Sequence, residues 1–194
     1  MGWRARLAAL LVLLAPLSAA GAGLAGQLLV ATPELDDPNF ENTVVLIVSH
    51  DKNGALGLVV NDMVMERPFA SLMADLGLDP EGATGDVRVF AGGPVQRDKG
   101  FVLHSTEYAR PETLVIDGRF SLTTSAGIFR DMAVGKGPKK ALVVFGYAGW
   151  GPGQLEREIA QHGWFTEPAD PAFVFDEPPQ RMWQDAIERR PRDL

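Results

Sequence analysis

Cysteine is absent from this 194-residue chain. That excludes disulfides, thiol nucleophiles and Cys-ligated metals. Positive charge is short: 18 Lys and Arg stand against 25 Asp and Glu, a net charge of −7. An acidic chain lacks the electrostatic footprint of a nucleic-acid binder, so direct DNA or RNA binding is not expected. Basic residues gather only at Lys136, Lys139 and Lys140, and in the tail at Arg189, Arg190 and Arg192, where acids interleave. Histidine occurs three times, as His50, His104 and His162, without H-E-x-x-H or multi-His spacing. No metal and no cofactor is therefore expected. A nucleophile elbow, G-x-S-x-G, is missing. So is a phosphate-binding loop, because Gly135-Lys136 is followed by Gly137 rather than Ser or Thr.

Long apolar runs are also lacking. The one candidate, Leu7 to Ala15, is well short of the roughly 20 residues of a membrane span. Its flanks identify it instead. Arg4 and Arg6 precede it, and Pro16 and the small residues Ser18, Ala19, Ala20, Gly21 and Ala22 follow. Residues 1–25 thus read as a secretory signal with cleavage near 20–25 and a periplasmic product. A membrane contact would come only through an uncleaved leader. Gly21-Ala-Gly23-Leu-Ala-Gly26 matches G-x-G-x-x-G, but it precedes a strand rather than opening a helix, so it is not a dinucleotide fingerprint.

The stretch Phe145 to Ile159 organises the rest of the chain. The apolar run Ala141–Phe145 predicts a strand, and Gly146, Gly149, Gly151, Pro152 and Gly153 predict a turn carrying Tyr147 and Trp150. Pro152 suits the first turn of a helix over 153–161. Further strands are expected at 27–31, 43–49, 55–61, 86–91, 100–104, 113–116 and 119–123, the last two joined at Asp117-Gly118. Phe69, Leu72, Met73 and Leu76 fall on one helical face, and Ser125 can cap a second helix bearing Ile128, Phe129 and Met132. Phe173 to Phe175 reads as extended, and Pro179 to Ile187 as a last helix. Strands follow one another with helices inserted irregularly. That pattern implies α+β, a single compact domain over 26–188, with a largely antiparallel or mixed sheet and peripheral helices. Residues 189–194 read as a disordered tail.

Few side chains point to chemistry. Glu156 and Glu158, two apart on a helix, face different ways and cannot share a substrate. Asn61 and Gln154 suit the capping of backbone groups in turns. The candidate ligand or partner surface comprises Gly92, Gly93, Pro94, Tyr147, Trp150, Gln154, His50 and His104. In this reading Gly92-Gly93-Pro94 forms a wall opposite the glycine turn.

The motifs Gln27-Leu-Leu-Val-Ala-Thr-Pro-Glu-Leu35, Gly54-Ala-Leu-Gly-Leu-Val-Val-Asn61, Gly92-Gly-Pro-Val95, Gly100-Phe-Val-Leu-His104, Gly146-Tyr-Ala-Gly-Trp150 and Gly153-Gln-Leu-Glu156 occur in this order, with Trp164, Phe175 and Trp183 after them. In them the chain resembles the YqgE/AlgH family of bacterial proteins over about residues 27–188. The resemblance implies a compact α+β domain, no catalytic residue to carry over, and a cytoplasmic location as the alternative to export. It implies a regulatory or interaction role with an unknown protein or small ligand as partner. The alternatives are an uncharacterised enzyme with a cleft near His50, His104 and the 146–156 turn, and a transcriptional regulator. The chain departs from the family's usual residues at Met63 (usually Pro), Gly127 (usually Asp) and His162 (usually Asn).

Overall fold

The strands Gln27–Ala31 and Val44–Asp51 are apolar on both sides, and the sheet they join is covered on two faces there. The computed structural model describes residues 23–190. The expected leader cleavage positions up to Ala22, and residues 191–194 of the expected tail, lie outside them. Strand β1 (Gln27–Ala31) is followed by the hairpin β2 (Val44–Asp51) and β3 (Gly54–Val59), then β4 (Met63–Pro68), helix α1 (Phe69–Asp75), β5 (Asp86–Ala91) and β6 (Val95–His104). The hairpin β7 (Leu114–Ile116) and β8 (Phe120–Thr123) leads to α2 (Gly127–Ala133), β9 (Ala141–Trp150) and α3 (Gln154–Ala160). The chain closes with β10 (Trp164–Pro168), α4 (Pro171–Asp176) and α5 (Pro179–Arg189). The main order is β10-β1-β2-β3-β9-β6-β8-β7, with β4 and β5 branching from β9. Every pairing is antiparallel except β5 with β9.

Because both faces are covered, alternate residues of one strand enter two different cores. Leu28 and Val30 of β1 join Val44, Leu46, Leu58 and the helical residues Phe173, Met182 and Ala186. Leu29 and Ala31 join Val45, Ile47, Val59, Trp150, Leu155 and Trp164 on the other face. This is why these strands read as continuous apolar runs rather than alternating ones.

Strand β9 serves both cores by changing face partway. Leu142 and Val144 point into the first core, whereas Ala148 and Trp150 point into the second. All four are even-numbered, so simple alternation would keep them together. The reset falls at Gly146, whose φ of 76° is left-handed. A Cβ there would sit 2.6 Å from the Gly93 carbonyl oxygen.

Four expectations need correction. The turn after Phe145 begins only at Gly151, since β9 continues to Trp150 and pairs with β3 through Ala148, Gly149 and Trp150. Pro152 lies outside α3, whose N-cap is Gly153. Phe173 to Phe175 is helical, because Asp170 accepts the Ala172 N–H at 3.0 Å and Pro171 opens the helix, a start signal that the apolar triplet masks. Helix α5 runs to Arg189, so residues 189 and 190 belong to the fold. Strand β4, absent from the sequence-based expectation, carries the exposed Val64 and Met65.

Candidate functional site

Helix α3 buries Leu155, which turns Gln154 and Glu158, four apart, to one flank and Glu156 to another. Glu158 Oε2 accepts the indole N–H of Trp150 at 2.9 Å and that of Trp164 at 2.8 Å. Its Oε1 accepts from the Gln154 amide at 2.9 Å, and Gln154 Oε1 takes the Gly151 N–H at 3.0 Å. One carboxylate thus ties the end of β9, the first turn of α3 and the start of β10. Phe40 stacks on Trp150 with ring centroids 6.1 Å apart and meets Trp164 edge-on at 5.4 Å.

A cleft of about 320 Å³ opens beside this knot. Phe40, Trp150 and Gln154 form its wall, and the loop residues Glu34, Asp36 and Asp37 form its rim. Among the described residues, the lining carries carboxylates and neither Lys nor Arg. Phe40 and this acidic rim were not among the expected site residues. Nothing in their spacing announces them, because residues 32–40 reach Trp150 only through the pairing of β1, β2, β3 and β9.

The two expected histidines are not brought together. His50, next to last in β2, pairs with Ala55, the partner of Trp150, while His104 pairs with Ala141 at the opposite end of ten-residue β9. His50 Nδ1 accepts the Leu24 N–H at 3.1 Å, so its proton sits on Nε2 and is donated to Glu156 at 3.0 Å. Glu156 is held below the usual carboxylate range by its own backbone N–H and by His50. His104 is fully buried. Its Nδ1–H donates to the Ser105 carbonyl at 2.9 Å, and its Nε2 accepts from the Thr123 hydroxyl at 2.9 Å. Thr123 in turn takes the Thr113 hydroxyl at 2.8 Å, and Thr113 takes the Arg110 N–H. This relay has one consistent direction and fixes the neutral tautomer. Burial pushes the imidazole below its ordinary value, against the opposing Ser105 hydrogen bond.

Gly92 and Gly93 pack directly on β9 rather than across a gap. Gly92 N–H donates to the Phe145 carbonyl at 2.7 Å, and a Cβ on Gly93 would lie 2.4 Å from the Tyr147 carbonyl carbon. The expected facing walls are therefore in contact. Pro94 and Gly93 instead border a separate groove of about 380 Å³ with Val64, Phe90 and Arg97. Tyr147 is half-buried, edge-on to Phe101 at 6.2 Å. Asn61 accepts the Val44 N–H at 2.8 Å and donates to the Asn42 carbonyl at 2.9 Å, satisfying backbone groups. Ser49 and Lys52 have a Ser-x-x-Lys spacing, but Ser49 lies within β2 and Lys52 in the turn after it. They do not share a helical turn, where residues three apart meet.

Two of the three departures from the family's usual residues, His162 and Gly127, have local explanations. His162 has φ 63° and closes α3, its N–H bonding the Ile159 carbonyl at 2.9 Å while Gly163 N–H bonds that of Glu158 at 2.9 Å. This is a Schellman closure, whose left-handed position suits Gly or Asn better than His. Gly127 leaves the space taken by the Arg110 guanidinium, which pairs with Asp131 at 2.6 Å. Tyr108 donates to the same Asp131 oxygen at 2.7 Å, and these two donors, Tyr108 first, keep Asp131 below its usual range.

The chain belongs to the AlgH-like family, whose sequence profile matches residues 28–194. A UPF0301 protein of Jannaschia sp. (strain CCS1) is 44% identical over 167 residues, covering 85% of this chain and 87% of that protein. A UPF0301 protein of Thioalkalivibrio sulfidiphilus (strain HL-EbGR7) is 41% identical over 175 residues, covering 90% and 94%. Among solved structures, the AlgH protein from Pseudomonas aeruginosa superposes with a TM-score of 0.74 at 37% identity, covering 90% of this chain and 93% of that one. A Corynebacterium diphtheriae protein at 21% identity shares the fold, with a TM-score of 0.68.

Proposed function

We propose that this AlgH-like chain is a non-enzymatic interaction protein that docks a cationic segment of a partner protein in the cleft between residues 34–40 and α3. The carrying observation is the cleft itself: a concave site of about 320 Å³ with Glu34, Asp36 and Asp37 on its rim and Phe40 and Trp150 in its wall. A Lys or Arg side chain is favoured by aromatic faces and by a carboxylate rim together. The engagement of His50, His104 and Glu158 in hydrogen bonds within the fold supports the non-enzymatic part. A general base needs a free lone pair facing substrate. Both ring nitrogens of His50 and of His104 are taken, and Glu158 holds three donors. The net charge of −7 gives no support to the alternative of a transcriptional regulator that binds DNA directly.

Titration of tryptophan fluorescence with Lys- and Arg-bearing peptides, against acidic peptides of equal length, tests the proposal. Binding of the basic set is expected, weakened roughly tenfold in Asp36→Asn/Asp37→Asn and reduced by salt. Equal affinity of wild type and double variant, or no binding of any basic peptide, overturns the cleft. Turnover of any substrate that is lost in His50→Ala overturns the non-enzymatic reading.

A further inference from the structure

The groove of about 380 Å³ beside β4 carries charges of both signs on an apolar lining. Its size falls within the range of small-ligand sites, roughly 300–1,000 Å³. Val64, Val89, Ala91 and Phe145 supply the apolar part, and Asp62 and Arg97 the charges. Val64 is 56% exposed there because it is the extra residue of a bulge. Met63 pairs with Phe90 and Met65 with Val89, which leaves Val64 without a partner on β5.

Strand pairing sets the two charges in one row across the sheet. Ala91 N–H bonds the Asp62 carbonyl at 2.9 Å, Ala91 pairs with Phe145, and Phe145 pairs with Gly100. Gly100 ends the interruption of β6 that carries Arg97, since the pairing with β9 passes from Val95 directly to Gly100. Gln96 in that interruption has a left-handed φ of 46°. The segment is pressed onto β9, where a Cβ on Gly146 would lie 3.3 Å from the Arg97 Cα. Asp62 and the Arg97 segment therefore stand three strand spacings apart, roughly 14 Å between backbones. Both side chains line the groove and close part of that span from either end. Among the described residues, neither takes part in a salt bridge.

We propose that this groove binds an apolar dipeptide with both termini free, its ammonium on Asp62 and its carboxylate on Arg97. Two extended residues span about 7 Å, which suits the gap left between the two side chains. A free amino acid holds its two charges on one carbon and falls short of it. The guanidinium fork matches a carboxylate in geometry. Apolar side chains of the ligand would cover Val64 and Val89 and remove their surface from water. This groove is separate from the cleft of residues 34–40, and the proposal does not depend on what that cleft binds.

Titration of the isotope-labelled full-length chain with the dipeptide Leu-Leu, followed through its amide NMR signals, tests this. Saturable shifts are expected at Ala91, Gly93 and Phe145. Asp62→Asn and Arg97→Gln, both at exposed positions, are each expected to weaken binding roughly fivefold with melting temperature unchanged. N-acetyl-Leu-Leu should bind the wild type more weakly than Leu-Leu does, and lose nothing further in Asp62→Asn. Leu-Leu amide should behave in the same way toward Arg97→Gln. The capped ligands probe the wild-type chain, so the test stands even where a variant fails to fold. Absence of saturable shifts, shifts centred on Asp36 and Trp150 instead, or equal affinity of free and doubly capped Leu-Leu overturns the proposal. Free leucine binding as tightly as Leu-Leu overturns the dipeptide as its ligand.

Discussion

Trp150 and Glu158 meet through a 2.9 Å hydrogen bond from the indole N–H to a carboxylate oxygen that Trp164 also uses, at 2.8 Å. Two large aromatic residues from different strands are thereby oriented by a single acid on the helix between them. The relationship makes Glu158 a positioning residue for the wall of the cleft.

Glu158→Gln separates charge and acceptor capacity from size. The amide keeps one acceptor oxygen and brings an NH₂ group to a site already holding three donors. At least one indole or the Gln154 amide loses its partner, and about 1–3 kcal/mol of stability is expected to go with it. Urea denaturation followed by tryptophan emission checks this. An unchanged midpoint and emission spectrum would show that the carboxylate is dispensable.

His104 predicts a pH dependence. Its folded-state value lies below the ordinary 6.5 because the ring is buried. The unfolded chain therefore takes up a proton first as pH falls. The stabilising contribution is complete above about 6.5 and is lost progressively as pH falls from there toward the folded-state value. Glu167 acts with the opposite sign: burial raises its carboxyl, so its contribution is present below the ordinary 4.5 and fades as pH rises through the folded value. Stability measured across pH in a Glu167→Gln background is expected to slope downward below 6.5, and His104→Gln to flatten that slope. An identical slope in both would remove His104 as its source.

His162→Gly relieves a side chain from the left-handed position that closes α3. A gain of about 1 kcal/mol is expected, with Asn giving a smaller gain. Thermal melting should rise by roughly 2–4 °C for the glycine variant. A lower melting temperature would mean that the His162 side chain contributes more than its backbone costs.

Gly127→Ala sets two effects against each other. Alanine favours the helix over glycine by about 1 kcal/mol, but its Cβ would lie 2.6 Å from the Arg110 Cζ and displace the guanidinium from Asp131. The substitution is expected to be neutral or destabilising in the native sequence and stabilising beside Arg110→Ala. A double-mutant cycle measures the coupling. Additivity within about 0.5 kcal/mol would show that Arg110 does not depend on the missing side chain.

Local signals in the sequence determine much of this protein. Apolar runs bounded by turn residues placed β1, β2, β3, β5, β7 and β8, because a turn such as Asp117-Gly118 is dictated within four residues. Helical periodicity placed α1, α2 and α5 for the same reason, and the ordered motifs identified the family. Other features depended on distance. Leu142, Val144, Ala148 and Trp150 look equivalent in sequence, yet Gly146 turns them into two cores, and the carbonyl oxygens of Gly93 and Val95 occupy the space its Cβ would take. His50 and His104 look like partners until β9 holds them at opposite ends. The cleft draws Asp36, Phe40, Trp150 and Glu158 from segments far apart in the chain. No pattern within one element encodes that meeting, because strand register and the covering of both sheet faces bring the segments together.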